Sequence, residues 1–284
     1  MLDMETRNHW GKNVFIARSD DNKRGYPPGS PGEDELQAYR DFAVRVPDAS
    51  SGLVMGLTPG VREVIGPLTA SIALIDKSQD AIDFLSGAVP DSIIKKERIH
   101  LEDWENMPNV LNEKIDIVMG DGVFANLLTD QSQIAVLKAI KNVLSPNGRF
   151  ITRNCVLPAE LIPDGIDART LINNYRDGII DENEFGHAMR VLGSMTSAYD
   201  RTSHLLDNKA VYALYAEWKK DGTITDTEFE IIMRYFFDGY HYYPPKPHWE
   251  KLLNQAGFLF EVKKLEGRIY NRYLPIYSCY IPSN

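Results

Sequence analysis

The chain has 284 residues, 43% of them hydrophobic and 10% aromatic, enough for one large α/β domain or for one domain carrying a substantial insertion. Its formal net charge is −9 and it has no Lys/Arg cluster able to neutralise a run of phosphates, which argues against a nucleic-acid partner. No apolar run reaches spanning length, the N-terminal MLDMETRNHWGKN is polar where a signal peptide is apolar, and the two cysteines, Cys155 and Cys279, lack CxxC spacing; these features predict a cytoplasmic chain with two buried thiols and no membrane contact.

Residues 1–50 read as an N-terminal arm and helix. The pair His9–Trp10 and the proline- and glycine-rich YPPGSPGED at 26–34 suggest an arm that closes over a ligand. From residue 51 short apolar runs alternate with helical stretches: GLVMG (52–56), SIALID (71–76), RIHL (98–101), IDIVMGDG (115–122) and GRFITRN (148–154) are of strand length, with room for a helix between successive runs. DQSQIAVLKAIKNVL at 130–144 is an amphipathic helix. Ile134, Leu137, Ile140, Val143 and Leu144 line one face, Asp130 is its expected N-cap, and SPNG stops it. Strands separated by helices imply parallel pairing with right-handed crossovers and hence an open, doubly wound sheet spanning 51–157.

After Cys155 the pattern changes. Residues 158–245 predict a helical insertion, with helices near 166–176, 182–199, 208–220 and 226–238 and no strand. Residues 246–284 return to the core through PHWEKLLNQAGFLFEVKKL, a helix closed by Gly257 and followed by a strand, and YLPIYSCYI at 273–281 supplies a last strand that pairs antiparallel with its predecessor. The expected fold is thus a Rossmann-like α/β sheet of about seven strands, mostly parallel with an antiparallel last strand, carrying a helical insertion.

The stretch LVMGLTPGVREVIG at 53–66 runs from a buried strand through a glycine turn into a helix. In an open parallel sheet, ligands bind beyond the carboxyl ends of the strands, near the point where strand order reverses. Gly56 removes a Cβ that blocks a ligand across the strand end, Gly60 permits close approach where the helix begins, and Pro59 pre-sets the first helical turn. Asp76 closes the second strand about twenty residues later, where a carboxylate either accepts hydrogen bonds from both hydroxyls of a ribose or caps the next helix. Together the two features point to an adenosine-type cofactor. A nicotinamide fingerprint requires GxGxxG, yet counting from Gly56 the third residue is Thr58 and the sixth is Val61.

Gly56, Thr58 and Gly60 instead fit a GxGxG frame with one substitution, and here the sequence resembles the class I S-adenosylmethionine-dependent methyltransferases. The resemblance covers about 51–155 and the final helix and strands. It implies that Gly56, Leu57, Thr58 and Gly60 approach the methionine part and ribose of S-adenosylmethionine, that Asp76 with Lys77 meets the ribose, that Asp103 lies near the adenine amino group, and that Trp104 covers the ring. It also implies that Asp121 and Gly122, in DIVMGDG, lie beneath the methionine and the transferable methyl. Two positions depart from the family pattern: Val54 stands where an acidic residue is usual, and Thr58 replaces the middle glycine. This leaves the methionine amino group to Asp121 or to a residue of the N-terminal arm.

Methyl transfer requires a nucleophile held in line and water kept out, helped by a general base when the acceptor is a hydroxyl or a protonated amine. The insertion is the natural lid and small-molecule pocket, and its aromatic end YFFDGYHYYPPKPHW (235–249) contains His241, Tyr242 and Tyr243. His241, Tyr242 and Asp121 are the candidate catalytic groups, with His187 and His204 as weaker ones. The same aromatics also suit simple packing of the insertion on the sheet. NNYRDGIIDENEF (173–185) and EWKKDGTITDTEF (217–229) carry the DG and Glu of a calcium loop, but Tyr175 and Lys219 occupy ligand positions. Both read better as helix, glycine turn, helix, with Asp181 and Thr225 as N-caps answered by Glu184 and Glu228, and no metal site is expected. Two other functions share these features: an NAD(P)-dependent oxidoreductase and a non-catalytic S-adenosylmethionine-binding module. Oligomeric state leaves no trace in the sequence.

Overall fold

A computed structural model describes residues 25–162 and 164–282, so the expected arm around His9–Trp10 lies outside the described residues. Helix α1 (Glu33–Ala43) precedes β1 (Ser51–Met55), whose five residues are all buried because the strand occupies the middle of the sheet. Then follow α2 (Pro59–Ile65), β2 (Ser71–Asp76), α3 (Gln79–Leu85), β3 (Glu97–Leu101), β4 (Ile115–Asp121), α4 (Asp130–Val143) and β5 (Leu144–Arg153). Strand β1 pairs in parallel with β2 on one side and with β4 on the other, so strand order reverses between β1 and β4. A late strand at the other edge completes the order β3-β2-β1-β4-β5-β10-β9, in which β10 (Ile276–Tyr280) runs antiparallel to both β5 and β9 (Leu259–Lys263). This is the doubly wound sheet with an antiparallel last strand that the alternation of runs implies.

Each face of the sheet has its own apolar layer. Leu36, Tyr39 and Phe42 of α1 join Val61, Val64 and Ile65 of α2 on one side; Val136, Leu137 and Ile140 of α4 join Trp249, Leu252 and Leu253 of a later helix on the other. Within the first layer Arg62 is fully buried, ion-paired to Glu97 at 2.7 Å and donating to the Leu85 and Ser86 carbonyls. The N-cap of α4 is Thr129, not Asp130: Thr129 Oγ1 accepts from the Ser132 amide at 3.1 Å. Asp130, displaced into the first turn, accepts instead from Tyr242 and contacts the ring nitrogen of His248.

Beyond β5 come α5 (Ala168–Arg176), α6 (Glu182–Ala188), a π-helical turn at Met189–Gly193, α7 (Asn208–Lys220) and α8 (Asp226–Met233). Asp181 and Thr225 cap α6 and α8, and Glu184 and Glu228 reach back to them, as the spacing requires. The expectation of an all-helical insertion is corrected. Tyr199–Asp200, Leu205–Asp207 and Tyr240–Tyr242 form β6, β7 and β8 of a small antiparallel sheet. Strands of two and three residues are too short to display a period of two, and the helices expected at 182–199 and 226–238 are correspondingly shorter. The segment packs its own core, including Leu171, Phe185, Met189, Leu192 and Tyr215, against Tyr273 and Leu274 of the main fold. Its two ends meet, since the Leu157 amide donates to the Pro244 carbonyl and the Lys246 amide to the Leu157 carbonyl, each at 2.9 Å. Helix α9 (Lys246–Ala256) then leads back into the sheet, closed by Gly257 in the left-handed region. Among the described residues no helix is long and apolar enough to cross a membrane.

Candidate functional site

A cavity opens where strand order reverses, bounded below by the ends of β1, β2, β4 and β5, above by the insertion, and at the rim by Pro28, Gly29 and Ser30 of the loop preceding α1. Among its lining residues, Met55, Gly56, Leu57 and Thr58 come from the first turn. The Gly56 amide continues the β1–β2 ladder by donating to the Ile75 carbonyl at 2.9 Å, after which the chain turns through φ +80°, a conformation side-chain-bearing residues rarely adopt. A Cβ added there meets only the Asp76 carboxylate, at 3.7 Å. The glycine and the aspartate therefore face each other across the mouth of β1 and β2.

Asp76 does not cap α3. Ser78 performs that task, accepting from the Ala81 amide, while Asp76 Oδ1 accepts from the Ser78 amide at 2.8 Å. That leaves Oδ2 turned toward Gly56. Burial raises the Asp76 carboxyl above its ordinary value, against the lowering effect of the Ser78 hydrogen bond and the Lys77 charge. Trp104 lines the cavity beside it, its indole ring fixed by a hydrogen bond of 2.8 Å from Nε1 to the Ile75 carbonyl.

At the end of β4, Asp121 and Gly122 also line the cavity, with Gly122 at φ +65° and open space where a Cβ would stand. Both oxygens of Asp121 are held by the buried Arg153 at the end of β5, through Nε at 2.7 Å and Nη2 at 3.0 Å. The same guanidinium pairs with Glu35 of α1 at 2.6 Å and donates to the Pro28 carbonyl. Tyr39 adds a bond to the Gly120 carbonyl and accepts from the Arg153 amide. Although burial disfavours its charge, Asp121 and Glu35 hold Arg153 above the usual arginine range. The floor of the site is thus tied to the N-terminal helix by one arginine shared between two carboxylates.

The roof is aromatic and basic. Tyr235, Phe237, His241 and Tyr243 line it together with His187 and Arg190. The Tyr235 hydroxyl donates to the Pro27 carbonyl at 2.7 Å, joining the insertion to the N-terminal loop. His241 Nδ1 receives hydrogen bonds from Arg190 Nη2 at 2.7 Å and Asn208 Nδ2 at 3.0 Å, so the ring proton resides on Nε2. Arg190 Nη2 also donates to Tyr243 Oη at 2.8 Å, and its guanidinium lies over the Phe237 and Tyr243 rings. Burial pushes the Tyr243 phenol up to about 12 despite the neighbouring arginine. His187 Nδ1 lies 2.8 Å from Tyr273 Oη; burial, and then the Arg190 and Arg153 charges, hold that imidazole far below its usual value and therefore neutral.

The structure brings Gly56, Leu57, Thr58, Asp76, Trp104, Asp121, Gly122, His187 and His241 to one cavity and leaves five candidate residues outside its lining. Gly60 faces α1, where an added Cβ would come within 3.0 Å of Leu36, so its small size serves helix packing. Lys77 and Asp103 pair with each other at 3.2 Å on an exposed rim. Tyr242 points the opposite way from His241 and Tyr243, as alternation along β8 demands, and spends its hydroxyl on Asp130. His204 likewise stands off the cavity, near Tyr199 and His248. Sequence reasoning passed over Arg153 and Arg190. The available signal was an arginine set among apolar residues: Arg153 after the strand run FIT, and Arg190 as the one arginine of HAMRVLG.

A family model described as a methyltransferase domain matches residues 61–224, more than half of the chain. Among solved structures, the chain is similar to the CcbJ methyltransferase of Streptomyces caelestis (TM-score 0.56, 15% identity, 93% of this chain and 96% of that one). It is also similar to DesVI of Streptomyces venezuelae (TM-score 0.51, 15% identity, covering 95% and 96%). A protein of Rhodobacter sphaeroides named as a putative zinc-dependent alcohol dehydrogenase shares the fold as well (TM-score 0.59, 14% identity, covering 95% and 98%). No curated protein matches the chain at a significant level.

Proposed function

Because the chain belongs to the methyltransferase-domain family, as a class I S-adenosylmethionine-dependent methyltransferase, we propose that its cavity takes S-adenosylmethionine at the ends of β1, β2 and β4 and a small-molecule acceptor beneath the 158–245 insertion, which serves as the lid. The observation that carries this reading is the facing pair at the mouth of the sheet: Gly56 in the left-handed region, with Asp76 Oδ2 turned toward it. A buried carboxylate with one oxygen facing a side-chain-free strand end suits ribose hydroxyl donors. Trp104, locked by its bond to Ile75, suits an adenine face, and the open corner at Gly122 suits the methionine part above Asp121.

S-adenosylmethionine, when bound, supplies a methyl group already activated by its sulfonium charge. The residues of the chain then have orientation and exclusion of water to accomplish. Tyr235, Phe237 and Tyr243 supply an apolar roof, and the Tyr235 bond to Pro27 closes it at the N-terminal side. Asp121 is an unsuitable base because Arg153 holds both of its oxygens. His241 is equally unsuitable at Nδ1, where two donors already converge. His187 also lines the cavity, but burial keeps its ring neutral and a weak base, so the role we assign to this site is positioning rather than strong base catalysis.

Isothermal titration of S-adenosylhomocysteine and of NAD into the wild-type protein tests the reading. Micromolar binding of the first with no heat from the second is expected. Binding of NAD alone overturns it in favour of hydride transfer, and heat from neither removes the cofactor assignment.

A further inference from the structure

The roof contains a buried cation without a counter-charge among the described residues. Arg190 is 2% exposed and lines the cavity, yet no carboxylate lies within ion-pairing distance among the described residues. The other deeply buried arginines, Arg62 and Arg153, are each neutralised by glutamate or aspartate at 2.6–2.7 Å. Taking a guanidinium out of water without an anion carries a large desolvation penalty that neutral partners offset only in part. The neutral partners are nevertheless in place. Nε donates to Asn208 Oδ1 at 3.1 Å, Nη2 serves His241 and Tyr243, and the guanidinium lies over the Phe237 and Tyr243 rings. Nη1 has no hydrogen-bond partner among the described residues, and it belongs to a side chain that borders the cavity. The residue is carried on the π-helical turn Met189–Gly193, a local irregularity of the kind that re-aims side chains at functional sites.

We propose that Arg190 is the anion-binding group of the acceptor pocket, and that the acceptor of this enzyme carries a carboxylate or phosphate which supplies the missing counter-charge at Nη1. The inference rests on the methyl-transfer reading of the cavity. Two sources share this chemistry, the acceptor and the α-carboxylate of the methionine moiety. The acceptor is favoured because Arg190 and its neighbours Asn208, Phe237, His241 and Tyr243 all belong to the insertion, whereas the Gly56 turn, Asp76 and Asp121 belong to the sheet. The aromatic rings around the guanidinium favour an acceptor with a flat or apolar body behind its anionic group.

The test is calorimetric titration of benzoate, with benzyl alcohol as the neutral control, into wild type and Arg190→Met, each with and without S-adenosylhomocysteine. Benzoate is expected to bind wild type, to lose about tenfold or more in affinity in Arg190→Met, and to be preferred over benzyl alcohol in wild type alone. Equal benzoate binding by the two proteins, or none by wild type, overturns the proposal. S-adenosylhomocysteine and 5′-methylthioadenosine, which lacks the amino-acid part, separate the two sources. If Arg190→Met weakens the first tenfold and leaves the second unchanged, the anion is the cofactor's own and the proposal falls. If wild type binds neither nucleoside, the cofactor reading fails, and the benzoate comparison on the unloaded protein still decides the role of Arg190. Should Arg190→Met not fold, wild type decides alone: benzoate must be displaced by inorganic phosphate at constant ionic strength, and failure of that competition refutes the assignment.

Discussion

Replacing Arg153 by methionine perturbs the point on which the floor of the site depends. The guanidinium is 3% exposed and sits between Asp121 and Glu35, whose side chains are each 3% exposed. Methionine fills a similar volume and leaves two buried carboxylates facing each other with no cation. Removing one partner of such a buried arrangement costs about 3–5 kcal/mol, a large share of a typical domain stability of about 5–15 kcal/mol. At about 2–4 °C per kcal/mol for a chain of this size class, the melting temperature should fall by about 6–20 °C, read by calorimetry and by urea unfolding followed by circular dichroism. Adding Glu35→Gln should recover part of the loss at neutral pH. A deficit below about 1 kcal/mol, or no recovery on adding Glu35→Gln, would refute the account of Arg153 as the shared counter-charge.

Three further outcomes follow from the same geometry. Asp76→Asn keeps an acceptor for the Ser78 amide but removes the charge, so S-adenosylhomocysteine affinity should fall by about tenfold or more, the equivalent of a charge-assisted hydrogen bond of about 1.5–3 kcal/mol. Because burial raises the Asp76 carboxyl and ribose donors require it ionised, wild-type affinity should decline as pH drops through that raised value while the variant stays flat; parallel profiles in a titration series would contradict this. Gly56→Ala meets no steric wall, but the residue must hold φ +80°, so about 1–2 kcal/mol of strain should appear as lost thermal stability or weaker nucleoside binding, and unchanged values in both would remove the turn from the site. Tyr242→Phe deletes the bond to Asp130 outside the cavity, which should cost about 1 kcal/mol of stability and leave nucleoside binding within about twofold; the opposite pattern would return Tyr242 to the pocket.

The strand, turn and helix around Gly56 were legible because they are local: a run of buried residues ends at a glycine, and an aspartate closes the next run. Strand alternation also carried the sheet and its antiparallel last strand. What escaped were properties of contact between distant segments. Gly60 owes its size to Leu36 of α1, and Asp130 lost its capping role to Thr129 while gaining partners more than a hundred residues away. The choice of Tyr242 over Tyr243 shows a different failure. Taking 235–249 as the end of a helical region left no reason to alternate faces, whereas β8 places His241 and Tyr243 on one side and Tyr242 on the other.

The charges around the cavity suggest why the fold is assembled from these parts. On the sheet side, the arginine at the end of β5 is neutralised within the protein by Asp121 and Glu35, so the floor is complete before any ligand arrives. On the insertion side, Arg190 has neutral partners only among the described residues. A site whose floor is self-sufficient and whose roof lacks an anion is more stable with an anionic ligand present than without one, because a ligand that binds the folded form stabilises it by mass action. The insertion is also the part joined to the N-terminal loop through Tyr235 and Pro27, and to the sheet through the paired ends at Leu157 and Pro244. On the proposal above, an anionic acceptor at the roof would therefore act on the segment that bounds the cavity from above, and closure over it and exclusion of water from the transferred methyl would be one event rather than two.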